Sequence, residues 1–424
     1  MLIHSASQLL TLSGGPQRGT DLGRLEIIPQ GAVLIRNGII EAIGTTRALI
    51  DAYPGESQID AGGKVVMPGF VDPHTHMVWG GERSAEFEMR LQGKTYMEIM
   101  EAGGGILSTV RSTRDANVED LVEQTRPRML SMFQQGTTTA EVKTGYGLET
   151  EPELRQLEAI LQLDSEGPME LVPTHLGAHA VPPDYPGGVQ AFTEYVCDEM
   201  LPRTKEWWHA RADGSTNQKS LPFVDVFCEE GVFDLTQSRK ILETASELGF
   251  GLKIHADEFV NLGGASLAAA LGAVSADHLV KTSQEDIEAL AKTNTVAVAL
   301  PCTPFGLAES EYTPAKKILE AGGLLAVATD INPGPAWCES MQFVLTLACR
   351  YMRLTPAQAI AAATINAAAA IGRADNLGSL ETGKQADMLI LKVDDYRHLG
   401  YRFGQNLVDT VIKKGVSYHV CSFQ

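Results

Sequence analysis

Short apolar runs alternate with segments of helical length between residues 64 and 330, and this alternation limits the possible fold more than any other feature of the sequence. Amphipathic stretches separate most of the runs; one of them starts at a candidate N-cap, Asp234, and ends in glycine. The runs that fit buried parallel strands are 64–72, 137–143, 169–176, 223–228, 250–256, 273–279, 295–301 and 324–330. Eight βα units predict a (β/α)8 TIM-like barrel, in which catalytic residues lie at the carboxyl ends of the strands.

The two ends of the chain predict a second, smaller unit. Residues 24–44 read as two strands joined by an "RNG" turn, and strand character returns in the last forty or so residues, in "GKQADMLILKVDD" and "LVDTVIKKGVSYHV". We therefore expect a small β-sandwich domain made from residues 1–65 and 379–424, beside a barrel domain at 66–378. The polar, Gly- and Asn-bearing segment 202–222 predicts a surface insertion before the fourth barrel strand.

Charge and cysteine usage exclude several classes of function. The formal net charge of −19 and a pI near 5.0 argue against nucleic acid or an anionic membrane as a partner, because either would need a basic surface. Six cysteines are scattered without a C-x-x-C pair, and no run of eighteen apolar residues occurs. These features predict a cytoplasmic protein with reduced cysteines and no membrane segment.

Two histidines one residue apart, His74 and His76, follow the first predicted barrel strand. In extended backbone such residues face the same side, although an isolated H-x-H pair is more often an ordinary polar loop. His255 ends the fifth predicted strand and Asp330 ends the eighth. Because the carboxyl ends of barrel strands address one central point, we expect these four side chains to bind one metal ion. Three imidazoles and a carboxylate suit zinc, and iron is also acceptable.

Two further residues are candidates for proton transfer and charge stabilisation. Glu258 follows His255 by three residues, so its carboxylate is placed to take a proton from water and deliver it to a leaving nitrogen, with Asp330 able to assist. His278 ends the sixth predicted strand and is a candidate to stabilise an oxyanion. A solvated surface glutamate and a core histidine are the respective alternatives. The fourth strand has no lysine to bridge two metals, so we expect one divalent metal with a position left for water.

The pattern formed by "PGFVDPHTH", His255, His278 and "ATD" resembles the amidohydrolase superfamily. Further segments, "GGER", "RLQGKTYMEIMEAGGGI", "KTGYGLE", "LGAHAVPP", "KIHADEF" and "TDINPG", are similar to the imidazolonepropionase family of histidine degradation. The similarity extends over nearly the whole chain. It implies hydrolysis of the cyclic amide of 4-imidazolone-5-propionate to N-formimino-L-glutamate, and it makes a homodimer the expected assembly.

This resemblance also implies a set of substrate contacts. Arg83 would bind the propionate carboxylate, for which its fork of donors is suited, although pairing with Glu86 on the surface is an alternative. The remaining implied contacts are Tyr96, Tyr146, His179, Glu258 and Asn332. The chain departs from the family pattern at Cys302, where glycine is expected, and in "WWHARADGSTNQK" (207–219), which has no counterpart there.

Two other functions fit the same residues. A purine or pyrimidine aminohydrolase uses a similar H-x-x-E arrangement but needs no carboxylate clamp, so the importance of Arg83 separates it from the first hypothesis. A catalytically silent barrel that acts as an interaction protein is the alternative from a different class, and metal content tests it.

Overall fold

The computed structural model describes residues 1–94, 98, 103–183, 185–212 and 220–420, and sixteen strands lie within them. They are Leu2–Leu10 (β1), Ile27–Arg36 (β2), Ile39–Thr45 (β3), Gln58–Asp60 (β4), Val65–Pro68 (β5), Phe70–Asp72 (β6), Thr137–Lys143 (β7), Glu170–Ala178 (β8), Phe223–Cys228 (β9), Gly251–Ala256 (β10), Ser275–His278 (β11), Val296–Ala299 (β12), Leu324–Val327 (β13), Met388–Leu391 (β14), Val408–Lys413 (β15) and Val416–His419 (β16).

Strands β6 to β13 follow one another in chain order, and each pairs in parallel with the next. Main-chain bonds close the gap between the first and last of them at the carboxyl end: the His76 amide donates to Ile331 O at 2.8 Å, and the Asp330 amide donates to His74 O at 3.1 Å. The predicted (β/α)8 barrel is therefore confirmed. Its closure is made by the segments that carry three of the candidate metal ligands.

Helix Thr46–Ala52 packs on the terminal strands β1 to β3, and the helices that follow the barrel strands give the barrel its outer layer. The bounds of the α-helices are Thr46–Ala52, Ser84–Leu91, Ile106–Asp115, Val118–Gln134, Thr150–Glu166, Gly188–Tyr195, Leu201–Ala212, Leu235–Glu247, Gly264–Leu271, Gln284–Ala291, Cys302–Gly306, Ala315–Glu320, Met341–Arg350, Pro356–Ala362, Ile365–Ala369 and His398–Tyr401. A 3-10 turn lies at Gly19–Asp21 and a π turn at Val196–Met200. The predicted N-cap is confirmed, because the Asp234 side chain accepts from Gln237 N in a capping box.

The run 64–72, predicted as one strand, is two strands in two different sheets. Val65–Pro68 pairs with β1 and β14 of the terminal sheet, whereas Phe70–Asp72 pairs with β7 of the barrel. Gly69 makes the crossing, and a Cβ there would come within 2.4 Å of the Thr138 side chain. The prediction failed because both halves are buried and apolar, and the Pro68-Gly69 pair between them marks a break without showing which sheet each half joins.

The predicted insertion at 202–222 is wrong in its first half. Helix Leu201–Ala212 continues the helical segment that begins at Gly188, and it belongs to the third βα unit. Three of its side chains, Leu201, Thr204 and Trp208, are at most 4% exposed. Their spacing of three and four residues is that of a helix face packed on a core, which outweighs the polar composition of the segment. Residues 213–219 lie outside the described part of the chain.

Both chain ends contribute to one hydrogen-bonded sheet, in the order β16-β15-β14-β5-β1-β2-β3, with β4 paired to β1. The hairpin β2–β3 turns at Asn37 and Gly38, which both have positive φ as a two-residue turn requires. Strands from both ends of this order share one apolar cluster, which includes Ile3, Val33 and Met388. The small terminal unit is thus present. The predicted domain limits, 1–65 and 379–424 for this unit and 66–378 for the barrel, stay a prediction. Strand β5 pairs within the terminal sheet.

The structure contains no helix, within the residues it describes, that is both long and apolar enough to span a bilayer.

Candidate active site

The four predicted metal ligands meet at the carboxyl end of the barrel. His255 lies in β10, while His74 and His76 follow the end of β6 by two and four residues and Asp330 follows the end of β13 by three. His76 Nε2 is 3.2 Å from His74 Nε2 and 3.3 Å from His255 Nε2. Asp330 Oδ1 is 3.5 Å from His74 Nε2 and 3.6 Å from His76 Nε2. A tetrahedral metal with bonds of about 2.0–2.2 Å separates its ligands by about 3.3–3.6 Å, and His74, His76 and Asp330 lie close enough together to hold a metal ion.

Two carboxylates lie behind the rings of the candidate ligands. His74 Nδ1 forms a hydrogen bond with Asp277 Oδ2 at 2.7 Å, and His255 Nδ1 lies at ion-pair distance, 3.0 Å, from Asp225 Oδ2. Asp277 accepts the Nδ1 proton of His74, which leaves the Nε2 lone pair of that ring for a metal. Burial, with the nearby Lys143 charge, lowers the pKa of His74 well below its usual value, and burial likewise lowers the pKa of His76. Neutral rings with converging lone pairs repel one another unless a cation lies between them, so the donor set fits a metal.

Glu258 and His278 stand beside this centre. Glu258 Oε2 is 3.7 Å from His278 Nε2, and the His278 ring centroid is 5.2 Å from that of His255. Only 11% of the Glu258 side chain is exposed. Burial, followed by the charges of Asp330 and Glu229, raises the pKa of Glu258 well above its usual value. A buried glutamate with a raised pKa beside the candidate ligands is a candidate proton carrier.

Several residues at the barrel mouth adopt left-handed backbone conformations. Asp257, His278 and Asp330 have φ values of 56°, 76° and 55°. Each lies at or just after the end of a strand, where the extended chain turns sharply into its loop. Such conformations cost non-glycine residues about 1–3 kcal/mol and persist where surrounding structure imposes them. Here they redirect the chain at the point where it carries a candidate ligand or proton carrier.

A cavity of about 550 Å³ opens onto the candidate metal centre and is lined by His179 and Tyr146. The ring of His179 stacks on that of His76 at 4.9 Å, and its Nδ1 donates to Gly145 O at 3.0 Å. Its Nε2 is therefore free to accept a hydrogen bond, since burial lowers the pKa of His179 to about 3. Tyr146 is 3% exposed, and burial raises the pKa of its hydroxyl, which stays a donor.

Arg83 lines the same cavity and also pairs with Glu86. Arg83 Nε and Nη2 donate to Glu86 Oε2 at 2.9 and 2.8 Å, and Glu86 Oε1 accepts from Gly105 N at 3.0 Å. The pairing that sequence treated as an alternative to substrate binding thus orients the guanidinium within the pocket wall. Arg90 lines the cavity as well and forms no ion pair with any residue that the structure describes. Tyr96 lies outside the described residues.

The loop after β13 brings the remaining predicted contact, Asn332, to the cavity wall. Asn332 Nδ2 donates to Asp330 O at 2.7 Å, and its Oδ1 accepts from Gly334 N at 2.8 Å. Its side chain therefore shapes the loop that follows the ligand Asp330. The hydroxyl of Thr303, next to Cys302, donates to Asp330 Oδ2 and leaves Oδ1 facing the histidines.

Charged groups beneath the candidate metal centre were not among the residues predicted from the sequence. Lys143, Glu141 and Asp225 are fully buried, and Lys143 Nζ donates to both carboxylates at 2.7 Å. Burial alone would lower the pKa of Lys143, but Asp225, Glu141 and Asp277 outweigh that effect and raise it. The sequence does contain one indication of these groups. Positions 141 and 143 of the buried strand β7 are both charged, and alternate residues of a barrel strand point into the barrel.

Glu229, which was also not predicted from the sequence, forms hydrogen bonds that hold the turn after β10. It is 3% exposed, and its carboxylate accepts from Phe259 N at 2.9 Å and Val260 N at 3.0 Å. These are the two residues directly after Glu258. The position of the candidate proton carrier therefore depends on a carboxylate from the neighbouring strand end.

Comparison with known proteins agrees with this architecture. A model of the amidohydrolase family matches residues 65–417. The imidazolonepropionase of Herpetosiphon aurantiacus is 49% identical over 98% of this chain and 96% of its own, and that of Chloroflexus aggregans is 48% identical over 98% and 97%. An adenosine deaminase from Xanthomonas campestris, solved with bound zinc, shares the fold with a TM-score of 0.69 at 18% identity, over 98% of this chain and 92% of that one. The chain is a hydrolase that acts on carbon–nitrogen bonds, and it belongs to the imidazolonepropionase family of amidohydrolases.

Proposed function

We propose that this chain hydrolyses the cyclic amide of 4-imidazolone-5-propionate to N-formimino-L-glutamate. The observation that carries the proposal is one cavity lined by the candidate ligands His76, His255 and Asp330, by the carboxyl group of Glu258 and by the guanidinium of Arg83. Ring opening of a cyclic amide requires activated water and a proton carrier, while the propionate requires a cation. The full-length relatives support the same activity.

One divalent metal, zinc or iron, would be held by His74, His76, His255 and Asp330, because this donor set suits both ions. Such an ion, when bound, supplies Lewis acidity that polarises a carbonyl and lowers the pKa of water. The carboxylates of Asp277 and Asp225 keep two of the rings in the tautomer that binds it.

Glu258 would move the proton. Its carboxylate takes a proton as the oxygen of water bonds to the amide carbonyl carbon, and it returns that proton to the ring nitrogen as the carbon–nitrogen bond breaks. The raised pKa of Glu258 makes its carboxylate a stronger base than that of an exposed glutamate. His278, whose Nε2 faces Glu258, would donate a hydrogen bond to the oxygen on which negative charge develops.

The pocket wall would orient the substrate. Arg83 uses Nε and Nη2 for Glu86, so Nη1, which lies beside Gly334, would bind the propionate carboxylate. His179 would accept from a ring N–H through Nε2, and Tyr146 would donate its hydroxyl. Asn332, which shapes the adjoining loop, and Tyr96 complete the proposed substrate contacts.

Turnover by metal-loaded protein tests the proposal. Purified protein reconstituted with one equivalent of zinc or ferrous iron is mixed with freshly prepared 4-imidazolone-5-propionate, and loss of its ultraviolet absorbance is followed. We expect turnover that disappears when the metal is removed and returns when it is restored. Protein with a full complement of metal and no turnover would refute the assignment.

The competing activity, deamination of a purine or pyrimidine base, predicts a different response to substitution of Arg83. Loss of one charge-assisted hydrogen bond costs about 1.5–3 kcal/mol, so Arg83→Ala should lower kcat/KM for imidazolonepropionate by about 10- to 150-fold. Arg83→Lys keeps the positive charge but loses the forked arrangement of N–H donors, so its kcat/KM should lie between those of the wild type and Arg83→Ala. Ammonia release from guanine, adenosine or cytosine that is unaffected by Arg83→Ala would favour the aminohydrolase.

We further propose a homodimer in the cytoplasm with one metal per subunit. The free cysteines found among the described residues are consistent with a reducing compartment. Sedimentation equilibrium tests the subunit number, and a monomer would contradict the proposed dimer. Metal analysis of the same sample tests the stoichiometry, and two metals per chain would contradict the proposed single metal.

A further inference from the structure

Four fully buried charged residues form a cluster beneath the candidate metal centre: Lys143, Glu141, Asp225 and Asp277. Lys143 Nζ is 2.7 Å from Glu141 Oε1, 2.7 Å from Asp225 Oδ2 and 3.5 Å from Asp277 Oδ2. These carboxylates come from β7, β9 and β11, so one ammonium group on β7 spans three alternate strands of the barrel. Lys143 Nζ donates hydrogen bonds to Glu141 and Asp225, and Asp277 lies within ion-pair distance.

Each carboxylate of this cluster also contacts a segment that carries a metal ligand. Asp225 Oδ2 lies 3.0 Å from His255 Nδ1, and Asp277 Oδ2 lies 2.7 Å from His74 Nδ1. Glu141 Oε2 accepts from the main-chain N–H of Thr75 at 3.4 Å, and Thr75 lies between His74 and His76. The lysine is thus separated by one carboxylate from His255 on one side and from His74 on the other.

We propose that Lys143 is a positioning residue for metal binding, which acts by holding Asp225 and Asp277 against the Nδ1 atoms of His255 and His74. It touches neither substrate nor ligand nitrogen. Its ammonium draws Asp225 towards Asp277 against the mutual repulsion of the two carboxylates, so both stay oriented as acceptors. Without this charge the carboxylates separate, the rings turn, and the Nε2 lone pairs no longer converge. The inference rests on the proposed metal site but not on the proposed substrate.

A purely structural salt bridge is the competing explanation, and Lys253 offers a matched control. This second buried lysine donates to Pro73 O at 3.2 Å and Ala370 O at 3.1 Å, and its Nζ is 3.9 Å from Asp277 Oδ2. It lies on β10, which carries His255, but it makes no ion pair with Asp225 among the described residues. If any buried lysine sufficed, Lys143→Met and Lys253→Met would weaken metal binding alike.

The experiment measures zinc affinity of the full-length metal-free protein by competition with a chromophoric chelator, without substrate. Outer carboxylate partners of ligating histidines contribute about 10- to 100-fold to metal affinity. We expect Lys143→Met to weaken zinc binding by about that factor and Lys253→Met by less than threefold. Equal losses in both variants, or a loss below threefold for Lys143→Met, would overturn the proposal.

A double-mutant cycle with Asp277→Asn separates positioning from general destabilisation. If Lys143 acts through Asp277, the two substitutions together should weaken zinc binding little more than the stronger one alone. Additive losses would refute the mechanism. The visible spectrum of the cobalt-substituted protein provides a second readout, which should change in Lys143→Met and stay the same in Lys253→Met.

Lys143→Gln covers the case in which Lys143→Met fails to fold, because it keeps two N–H donors and most of the side-chain volume while removing the charge. It should lose at least tenfold in zinc affinity, and wild-type affinity in a folded Lys143→Gln protein would overturn the role of the charge. Tight zinc binding without turnover of imidazolonepropionate would refute the proposed function alone and leave this inference standing.

Discussion

Removal of the Glu229 carboxylate should slow the reaction without releasing the metal. Glu229 does not face the candidate ligands; it accepts from the main-chain amides of Phe259 and Val260, which follow Glu258 directly. Glu229→Ala therefore frees the turn that carries the proton carrier. His255, which lies before this turn within β10, keeps its own hydrogen bonds.

The size of the effect follows from these contacts. Hydrogen bonds to a charged acceptor contribute about 1.5–3 kcal/mol each, and two of them hold the turn. Phe259 is 45% exposed, so water replaces part of that bonding and the lower end of the range applies. Displacement of a catalytic group by about 1 Å costs about 100-fold in rate. We therefore expect kcat/KM to fall by about 10- to 100-fold in Glu229→Ala and by less in Glu229→Gln, which keeps one acceptor oxygen.

The assay compares steady-state turnover of imidazolonepropionate with metal content in the same preparations. Glu230→Ala is the matched control, because Glu230 is the neighbouring exposed acid and should keep the wild-type rate. Metal content should be unchanged in all three variants. A Glu229→Ala enzyme within threefold of wild type would refute the claim that this carboxylate positions Glu258.

Three further substitutions test other parts of the molecule. His255→Ala should lose metal and activity together, as measured by metal analysis and turnover, whereas Glu258→Gln should keep its metal and lose turnover. Burial alone would raise the pKa of Glu170, but Lys413 and Lys414 outweigh it and lower the pKa to about 2. Because the pKa of Glu170 is lowered on folding, its ionised carboxylate stabilises the folded protein above about pH 4.5, and this stabilisation is lost as pH falls towards about 2. Glu170→Gln should therefore lower the free energy of unfolding by at most about 3 kcal/mol at pH 7. A denaturation difference that does not shrink in acid would contradict this ion pairing.

Much of the barrel was predictable because its strands are short apolar runs with clear ends. The limits of β7 and β9 agree with the predicted 137–143 and 223–228, and the other runs differ from their strands by a few residues. The run 64–72 was not predictable as two strands, since the pairing of Val65–Pro68 is decided by β14, more than 300 residues away. Side-chain burial is the same on both sides of the crossing, and the Pro68-Gly69 pair is its one mark in the sequence.

The candidate site was predictable where a residue stands directly at a strand end. His255 and Asp330 needed only the barrel geometry, which brings distant strand ends to one point. Lys143 and Asp277 were missed because charged residues inside buried strands are explained only by partners on other strands, and their pairing depends on barrel register. Arg83 was predicted with two alternatives, substrate binding or pairing with Glu86, and the structure shows the ion pair inside the cavity wall.

The candidate catalytic groups and the candidate substrate-binding cations lie on different parts of the barrel. The candidate ligands and Glu258 lie at or near the ends of barrel strands. The adenosine deaminase that is 18% identical to this chain has the same overall fold. Arg83 and Arg90 instead lie on the segment after β6, and they place positive charge at the mouth of a chain whose net charge is −19. That overall charge repels an anionic substrate, so its binding must come from cations set locally in the cavity wall. A neutral base would gain nothing from those cations, and the segment after β6 is therefore where selectivity for a carboxylate resides in the proposed reaction.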